Sequence, residues 1–544
     1  MTRASAAARA PGRSELTRRL DLVGEVLRRS GDPLANPLRL DFAPLDGERY
    51  VQLWRRFVRR AAAGRLHSDV VVYVHVPFCA RVCSYCLLSA RRTPGRGPTE
   101  AYVGALRREI ERMGAILRPM RVSAIHVGGG TPSILSAAQL DAILGDLGRA
   151  FRRDAALPIG FEAHPRTTTR EKVEVLARHG VGRVSFGIET FTQDVLRGVE
   201  RGDQTAEDVR EAVALARAAG LAVNVDLLAG LPGETEESWA ETVREALALR
   251  ADSMSVNRFI VENSPLGSTG YVPDGDENAG CDAMLLAADR IVRERRPPAW
   301  PVEPMEAAGY GAQYVWDATG RSRPYVQQDM IGPASTLVLG HGGMGHVHGG
   351  MYSTTAGQPA DWVAALERGE APPMLATAGS MRFEMAFYAA DRAVRGELSA
   401  TEFTRVFGVA PRRTFGPELA FLEERGLVGS RGDRWWKPRD GEFQVTHLLA
   451  FLALGADDLD ARLRDLDADA AGAPETSHPA RARGGAVLDL GRVAPEPALR
   501  MVGEGVRAVR RADVIDADGV SDERVAATLR AARAAGAAAV TLWS

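Results

Sequence analysis

Three cysteines crowd one loop. Cys79, Cys83 and Cys86 lie in the stretch YVHVPFCARVCSYC, leaving only Cys281 elsewhere in 544 residues. Their C-x3-C-x2-C spacing lets three thiolates converge on one metal centre. They cannot by themselves complete a four-thiolate iron–sulfur cluster or a structural zinc site. A [4Fe–4S] cluster held by these three would keep one iron without a protein ligand, open to chelate a small molecule and pass it an electron. Two rival readings use the same residues: a zinc site that borrows a histidine, or ordinary buried cysteines. Metal-binding cysteines usually repeat as two CxxC-like pairs, and no second pair follows, so the cluster is the favoured reading. His75 is close in sequence but sits on the preceding strand, at another level.

Those thiols need a rigid base. Val70 to Pro77 is an apolar, β-branched run that reads as a buried strand, so the cysteine loop leaves its carboxyl end. Five more strand candidates follow at 124–128, 159–163, 183–188, 222–228 and 253–261, with helical patterns between them. Tyr102, Leu106, Ile110 and Met113 make one helical face. Ser136 to Gln139 reads as a capping box ahead of Leu140, Ile143, Leu144 and Leu147. Thr169 opens a helix stopped by Gly180, and Thr205 to Asp208 caps another stopped by Gly220. Six strands alternating with helices predict right-handed crossovers and a parallel sheet, hence an α/β fold built as a partial (β/α)6 barrel. Chemistry in such a barrel gathers at the carboxyl ends of the strands.

Unusual residues do stand just after each predicted strand. Gly128-Gly129-Gly130-Thr131-Pro132 follows the second, where glycines let backbone approach a ligand and free N–H groups could bind a carboxylate. Glu162-Ala-His164-Pro follows the third, and its carboxylate suits an ammonium. Gly187-Ile-Glu189-Thr-Phe follows the fourth, with Arg201 downstream. Asp226 ends the fifth, placed to accept hydrogen bonds from a ribose or to cap a turn. Together with the thiolate loop they predict a pocket for a zwitterionic nucleoside.

The stretch YVHVPFCARVCSYC closely resembles the radical S-adenosylmethionine (SAM) signature Y-x-H-I-P-F-C-x3-C-x2-C of the oxygen-independent coproporphyrinogen III oxidase, or HemN-like, group. GGGTP, the Glu162 segment, the Glu189 segment and DLLAGLPG are similar to that family's further motifs. The resemblance spans roughly residues 69–455. It implies a [4Fe–4S] cluster on Cys79, Cys83 and Cys86, and SAM bound to it. By likeness, Gly129, Gly130 and Thr131 would hold the amino-acid part of SAM, and Glu162 its ammonium. Glu189, Arg201 and Asp226 would hold its other polar groups, and the catalytic Tyr73 would lie near the cluster and sulfonium. Tyr85, Leu228 and Ile260 match positions that touch a second SAM. Departures are Glu189 for the family's Gln, His164 for Asn or Asp, and Leu88 where coproporphyrinogen oxidases often carry a fourth cysteine.

The resemblance implies that a 5′-deoxyadenosyl radical is generated from SAM. It leaves three branches. The reading favoured from sequence is methyl or methylene transfer (methylation or cyclopropanation) from a second SAM to an aromatic or conjugated small molecule, in specialised or antibiotic biosynthesis. The alternatives are oxidative decarboxylation of coproporphyrinogen III and a HemW-like haem chaperone. A reducing electron donor such as flavodoxin or ferredoxin is implied as a partner.

The rest of the chain frames this barrel. Residues 1–66 read as a helical extension, its first residues as a disordered tail, and 67–265 as the barrel. Residues 266–377 read as an irregular, Gly- and Pro-rich extension containing Val338-Leu-Gly-His341-Gly-Gly-Met-Gly-His346-Val-His348. Its histidines could ligate a metal or haem, but no carboxylate or thiol is interleaved, so a glycine-rich loop lining the active site is favoured. Residues 378–463 read as a small helical, winged-helix-like domain, 464–484 as a linker, and 485–544 as a small α/β appendage for docking a partner enzyme or dimerising. A net charge of −2 and pI near 6.6 argue against capture of nucleic acid or membrane. No uncharged apolar run is long enough to span a bilayer. Cysteines too few for a disulfide scaffold predict a reducing, cytoplasmic setting.

Overall fold

A computed structural model describes residues 11–30, 42–64, 69–88, 90–152, 159–259, 264–268, 277–301, 305–307, 313–318, 334–348, 351–378, 381–395, 397–436, 438, 445–471, 488–489, 513–516 and 540–543. The predicted strands form at Val70–Val76 (β1), Val122–Gly129 (β2), Ile159–Ala163 (β3), Val181–Glu189 (β4), Ala222–Ala229 (β5) and Ser253–Arg258 (β6). They pair in that order, all parallel. β1 is buried almost throughout. That is why VVVYVHV reads as a continuous apolar run, since a strand covered on both faces has no polar side to alternate with.

The intervening helices start and stop where their sequence dictates. Ser136 and Gln139 close a reciprocal capping box, as do Thr205 and Asp208, and the Thr169 hydroxyl accepts the Lys172 N–H. Gly180 and Gly220 end two helices at φ of 73° and 79°, a region that costs a residue with Cβ.

The irregular reading of residues 266–377 is corrected. Met305–Ala307 (β7), Gln313–Asp317 (β8), Ser335–Leu339 (β9), Met344–Val347 (β10), Met351–Thr355 (β11) and Met374–Ala378 (β12) all join the main sheet. β9 runs parallel to β1 along its open edge. β10, β11, β12 and Ala43–Leu45 then add antiparallel strands on that side, while β8 and β7 extend the sheet beyond β6. The sheet therefore stays open, with thirteen strands. Short strands divided by glycine and proline hid this part from a reading of periodicity.

The N-terminal stretch divides between two cores. Helix Gly47–Ala62 buries Trp54 and Phe57 in the core of the main sheet. Helix Arg13–Ser30 instead places Leu16, Val23 and Val26 in a second core with Phe403, Phe415, Leu419, Phe421 and Phe451. That second core belongs to helices at 381–395, 400–407, 411–424, 445–453 and 456–471, with a small three-stranded sheet of Leu398–Ser399, Arg434–Trp436 and Gly429–Arg431. The last helix runs to Ala471, into the expected linker, because Leu459 and Leu463 pack on this core. Of the appendage, Leu488–Asp489, Asp513–Asp516 and Val540–Trp543 form three parallel strands. Its two expected helices lie outside the described residues, as do the remainder of the expected linker and the N-terminal tail before residue 11. Among the described residues, no helix is long and apolar enough to cross a membrane.

Candidate active site at the strand carboxyl ends

The cysteine loop leaves β1 through Pro77 and is braced at both ends. Phe78–Cys79 pairs with Arg91–Arg92, and Cys79 O accepts hydrogen bonds from the Thr93 N–H and hydroxyl at 2.8 and 2.9 Å. The Ser84 N–H bonds to Val199 O at 3.3 Å, tying the middle of the loop to the segment after β4. Cys79, Cys83 and Cys86 are free thiols, each half-buried.

Each sulfur has a polar neighbour. The Thr131 hydroxyl donates to Cys79 Sγ at 3.2 Å, and Arg201 Nη1 to Cys83 Sγ at 3.6 Å. Cys86 Sγ lies 3.8 Å from Leu88 O. Burial pushes the Cys86 thiol up to about 12 and raises Cys79 as well, so in the absence of metal both hold their protons. Among the described residues, no three His, Cys, Asp or Glu side chains close on a single metal ion. A loop of three thiols with hydrogen-bond donors already aimed at two of them fits a multi-iron centre better than one zinc.

Glycines 128 to 130 are needed for close packing. A Cβ at Gly128 would meet the Glu162 carboxylate at 2.6 Å, one at Gly129 the His75 ring at 2.9 Å, and one at Gly130 the Pro77 backbone at 2.9 Å. The expectation of free N–H groups is corrected here. Gly129 N donates to Glu162 Oε2 at 3.1 Å, Gly130 N to Val76 O at 2.8 Å and Thr131 N to Phe78 O at 2.9 Å. The motif thus locks β2 to β1 and orients Glu162.

Two histidines that the sequence reading did not enlist complete this corner. Register sets Tyr73 opposite His126, whose ring stacks on it at 5.9 Å between centroids. His126 Nε2 bonds with Glu162 Oε1 at 2.9 Å, and the Tyr73 hydroxyl sits 3.3 Å from His75 Nδ1. The signal was a polar residue at an inward position of an apolar strand, in Ile125-His126-Val127.

Asp226 ends a polar ladder inside the barrel. It accepts from the Ser185 hydroxyl and from Asn224 Nδ2 (2.8 Å), while Ser253 Oγ donates to Asn224 Oδ1 at 2.8 Å. Burial raises the Asp226 carboxyl, and the neighbouring Arg183 and Ser185 oppose the shift. Glu189 stands at a β-bulge of β4 with φ of 68°, a backbone conformation that strains any residue with a side chain. Burial raises its carboxyl, opposed by Arg201, whose Nη2 lies 3.9 Å away. Arg201 also donates to Gly187 O and Gln204 Oε1. Tyr85 and Leu228 pack with Val195, Val199, Leu231 and Phe259, so the structure brings two of the three expected second-SAM contacts together. Ile260 lies outside the described residues.

The glycine-rich segment 338–348 supplies the end of β9, the turn at residues 340–343 and β10. A Cβ at Gly343 would meet the Tyr73 ring at 3.1 Å, so this turn walls the site. Its histidines face other partners. His341 Nε2 bonds to Gly357 O at 2.9 Å, while His346 Nε2 and His348 Nδ1 contact the two oxygens of buried Glu384 at 3.0 and 3.3 Å. A carboxylate is interleaved after all, from helix Met381–Arg395, and it pins the helical domain to the sheet.

Fold and site point to a class: residues 73–246 match the Radical SAM superfamily, which implies a [4Fe–4S] cluster and SAM at this site. More particularly, part of the chain is similar to coproporphyrinogen III oxidases. It is 36% identical over 250 residues to the oxygen-independent coproporphyrinogen III oxidase of Pseudomonas aeruginosa, covering 45% of this chain and 52% of the relative. It is 33% identical over 192 residues to the heme chaperone HemW of Bacillus subtilis, covering 35% and 50%. The chain thus spans about half the length of the curated relatives it matches. In fold it is similar to the solved structure of coproporphyrinogen III oxidase (HemN) from Escherichia coli, with a TM-score of 0.62 at 20% identity, over 77% of this chain and 96% of the other.

Proposed function

We propose that the chain is a radical SAM enzyme of the coproporphyrinogen III oxidase type, acting on a carboxylate-bearing substrate by oxidative decarboxylation. The observation that carries the reading is an incomplete thiolate set beside a rim of oriented carboxylates, in a chain whose aligned relatives include oxygen-independent coproporphyrinogen III oxidases. When bound, cluster and SAM supply a one-electron cleavage that gives a hydrogen-abstracting 5′-deoxyadenosyl radical.

The protein's residues do the positioning. Cys79, Cys83 and Cys86 would hold three irons, with the Thr131 hydroxyl donating to the Cys79 sulfur and Arg201 to the Cys83 sulfur. Glu162, fixed by His126 and the Gly129 N–H, would receive the SAM ammonium. Gly130 and Thr131 would flank its amino-acid part. Asp226, fixed by Ser185 and Asn224, would accept hydrogen bonds from ribose hydroxyls, and Glu189 and Arg201 would hold other polar groups of SAM. Tyr73, stacked on His126 and backed by Gly343, would wall the reacting end. The apolar group around Tyr85 and Leu228 would exclude water there.

Methyl transfer, the reading favoured from sequence, gains nothing from the aligned relatives, which are named as coproporphyrinogen oxidases and a heme chaperone. Leu88, in place of a fourth cysteine, is the residue that speaks for it. Anaerobic turnover of coproporphyrinogen III with methyl-deuterated SAM separates the two. Carbon dioxide release with unlabelled 5′-deoxyadenosine is expected. Deuterium in 5′-deoxyadenosine, or no turnover, overturns the proposal, and tight haem binding without turnover transfers it to the chaperone reading.

A further inference from the structure

The amino ends of the strands, at the pole opposite the cysteine loop, carry a cleft with a charge of its own. It measures about 470 Å³, and Arg250, Asp252, Arg295, Arg296, Pro297 and Trp300 are among its walls. Arg250 and Asp252 lie on the turn that enters β6, and the others on the segment that ends and follows helix Glu277–Arg295. A cleft of this size accepts a small molecule.

Arg250 stands in a costly place. Helix Glu236–Ala248 ends at Leu249, and Arg250 follows with φ of 52°. The matching position after two other helices holds Gly180 and Gly220, at φ of 73° and 79°. Glycine takes that conformation freely, and a residue with Cβ does not. Closing the helix does not need the Arg250 guanidinium, because Arg217 Nη1 already donates to Leu249 O and Arg250 O at 3.3 and 2.7 Å. The turn gains nothing from an arginine here, so its use lies in the side chain that lines the cleft.

The other guanidiniums line the same space. Arg296 Nη1 donates to Trp300 O at 2.7 Å, and its Nε is buried with no hydrogen-bond partner among the described residues. A buried donor of this kind marks a place that an acceptor fits. Asp252 is the acid of the cleft, and its Oδ2 accepts the Val223 N–H at 2.9 Å. Among the described residues, no carboxylate pairs with Arg250, Arg295 or Arg296. Three arginines against one aspartate leave the cleft with an excess of positive charge.

We propose that this cleft binds a phosphoryl group, carried by free phosphate or by a small organic phosphate. The planar fork of arginine matches phosphate oxygens two at a time, and a dianion balances the excess charge. Bound there, the phosphate bridges the ends of helices Glu236–Ala248 and Glu277–Arg295. Those helices are already joined nearer their middles, where Trp239 Nε1 donates to Met284 O at 2.7 Å. The cleft is remote from the cysteine loop, so the inference stands apart from the reaction proposed there.

The test is calorimetry on the reconstituted full chain, in phosphate-free buffer at constant ionic strength. Inorganic phosphate and glucose 6-phosphate are titrated separately into the wild type, Arg250→Gly and Arg295→Ala. Arg250→Gly removes the guanidinium and relieves the backbone, and Arg295 is exposed, so both variants should fold. The wild type is expected to bind saturably and to show an unfolding midpoint that rises with probe concentration. Each variant should bind about tenfold more weakly, with iron content and dithionite-driven SAM cleavage at wild-type level. Tighter binding of the ester assigns the cleft to an organic phosphate and tighter binding of the free ion to phosphate itself, and either supports the inference. No saturable binding of either probe overturns it, as does unchanged affinity in both variants. Loss of SAM cleavage in both variants also overturns it, because the arginines would then serve the cysteine site.

Discussion

Glu109 offers a prediction that can be worked from the structure alone. It is buried on helix Arg96–Leu117, where its Oε2 accepts the Gly340 N–H at 2.7 Å. The Tyr102 hydroxyl beside it accepts the His341 N–H and donates to His75 O. Together they brace the turn that walls Tyr73. Burial is the main cause that lifts the Glu109 carboxyl from 4.5 to about 7, against the pull of the Gly340 N–H. The folded state therefore holds a proton that the unfolded chain releases. The associated stability is fully present below the unfolded value of 4.5 and is lost as pH rises through about 7. At about 1.4 kcal/mol per unit, the loss between pH 5 and pH 8 is roughly 2–3 kcal/mol. Glu109→Gln keeps an acceptor oxygen for Gly340 and removes the titration. Urea unfolding of the metal-free protein should show the wild type losing about 2–3 kcal/mol more than the variant across that range. Parallel losses in both proteins refute the reasoning.

Changing Cys79, Cys83 or Cys86 to Ala should abolish the visible absorbance of the reconstituted cluster, while Cys281→Ala, buried against Ala229, should keep it; a cluster surviving Cys83→Ala would contradict the ligand assignment. Glu162→Ala and Asp226→Ala should preserve the cluster but weaken SAM binding by about 1.5–3 kcal/mol each in calorimetry, and unchanged affinity in both would mean the rim is misassigned. Asn224→Leu, which removes the amide that orients Asp226, should weaken SAM binding in the same direction with the iron content unaltered. Glu384→Leu should leave His346 and His348 buried without their carboxylate and destabilise the protein by about 1–3 kcal/mol, read as a lowered unfolding midpoint.

The barrel was legible because its signals are local and repeated. Strand runs such as VVVYVHV, capping pairs such as Ser136 with Gln139, and stop glycines such as Gly180 each decide their own neighbourhood. The rim was legible for the same reason, since residues just after a parallel strand must face its carboxyl end. Partnerships set by register were not. Tyr73 meets His126 only because β1 and β2 pair in one particular alignment, and Glu384 reaches His346 and His348 across an interface between two cores. The packing role of Gly128 to Gly130 was not legible, because a glycine left free for a ligand and a glycine pressed against a neighbouring strand look alike in sequence. β9 to β12 were hidden because short strands in a long connection carry too few residues to show a period.

Helix Arg13–Ser30 has a consequence for how this protein comes to be made. Its buried Arg19 reaches Glu418 Oε1 at 3.2 Å, 399 residues further along the chain, and its Leu16, Val23 and Val26 complete a core otherwise built from the far end. During synthesis the helix emerges well before the helices it packs against. Until helices 381–471 are released, its apolar face has nothing to cover it, and the partners, once made, have an open seam until it returns. Such long-range closure makes the final step slow and exposed to aggregation. Closing this core therefore waits on a contact between segments 399 residues apart in the chain.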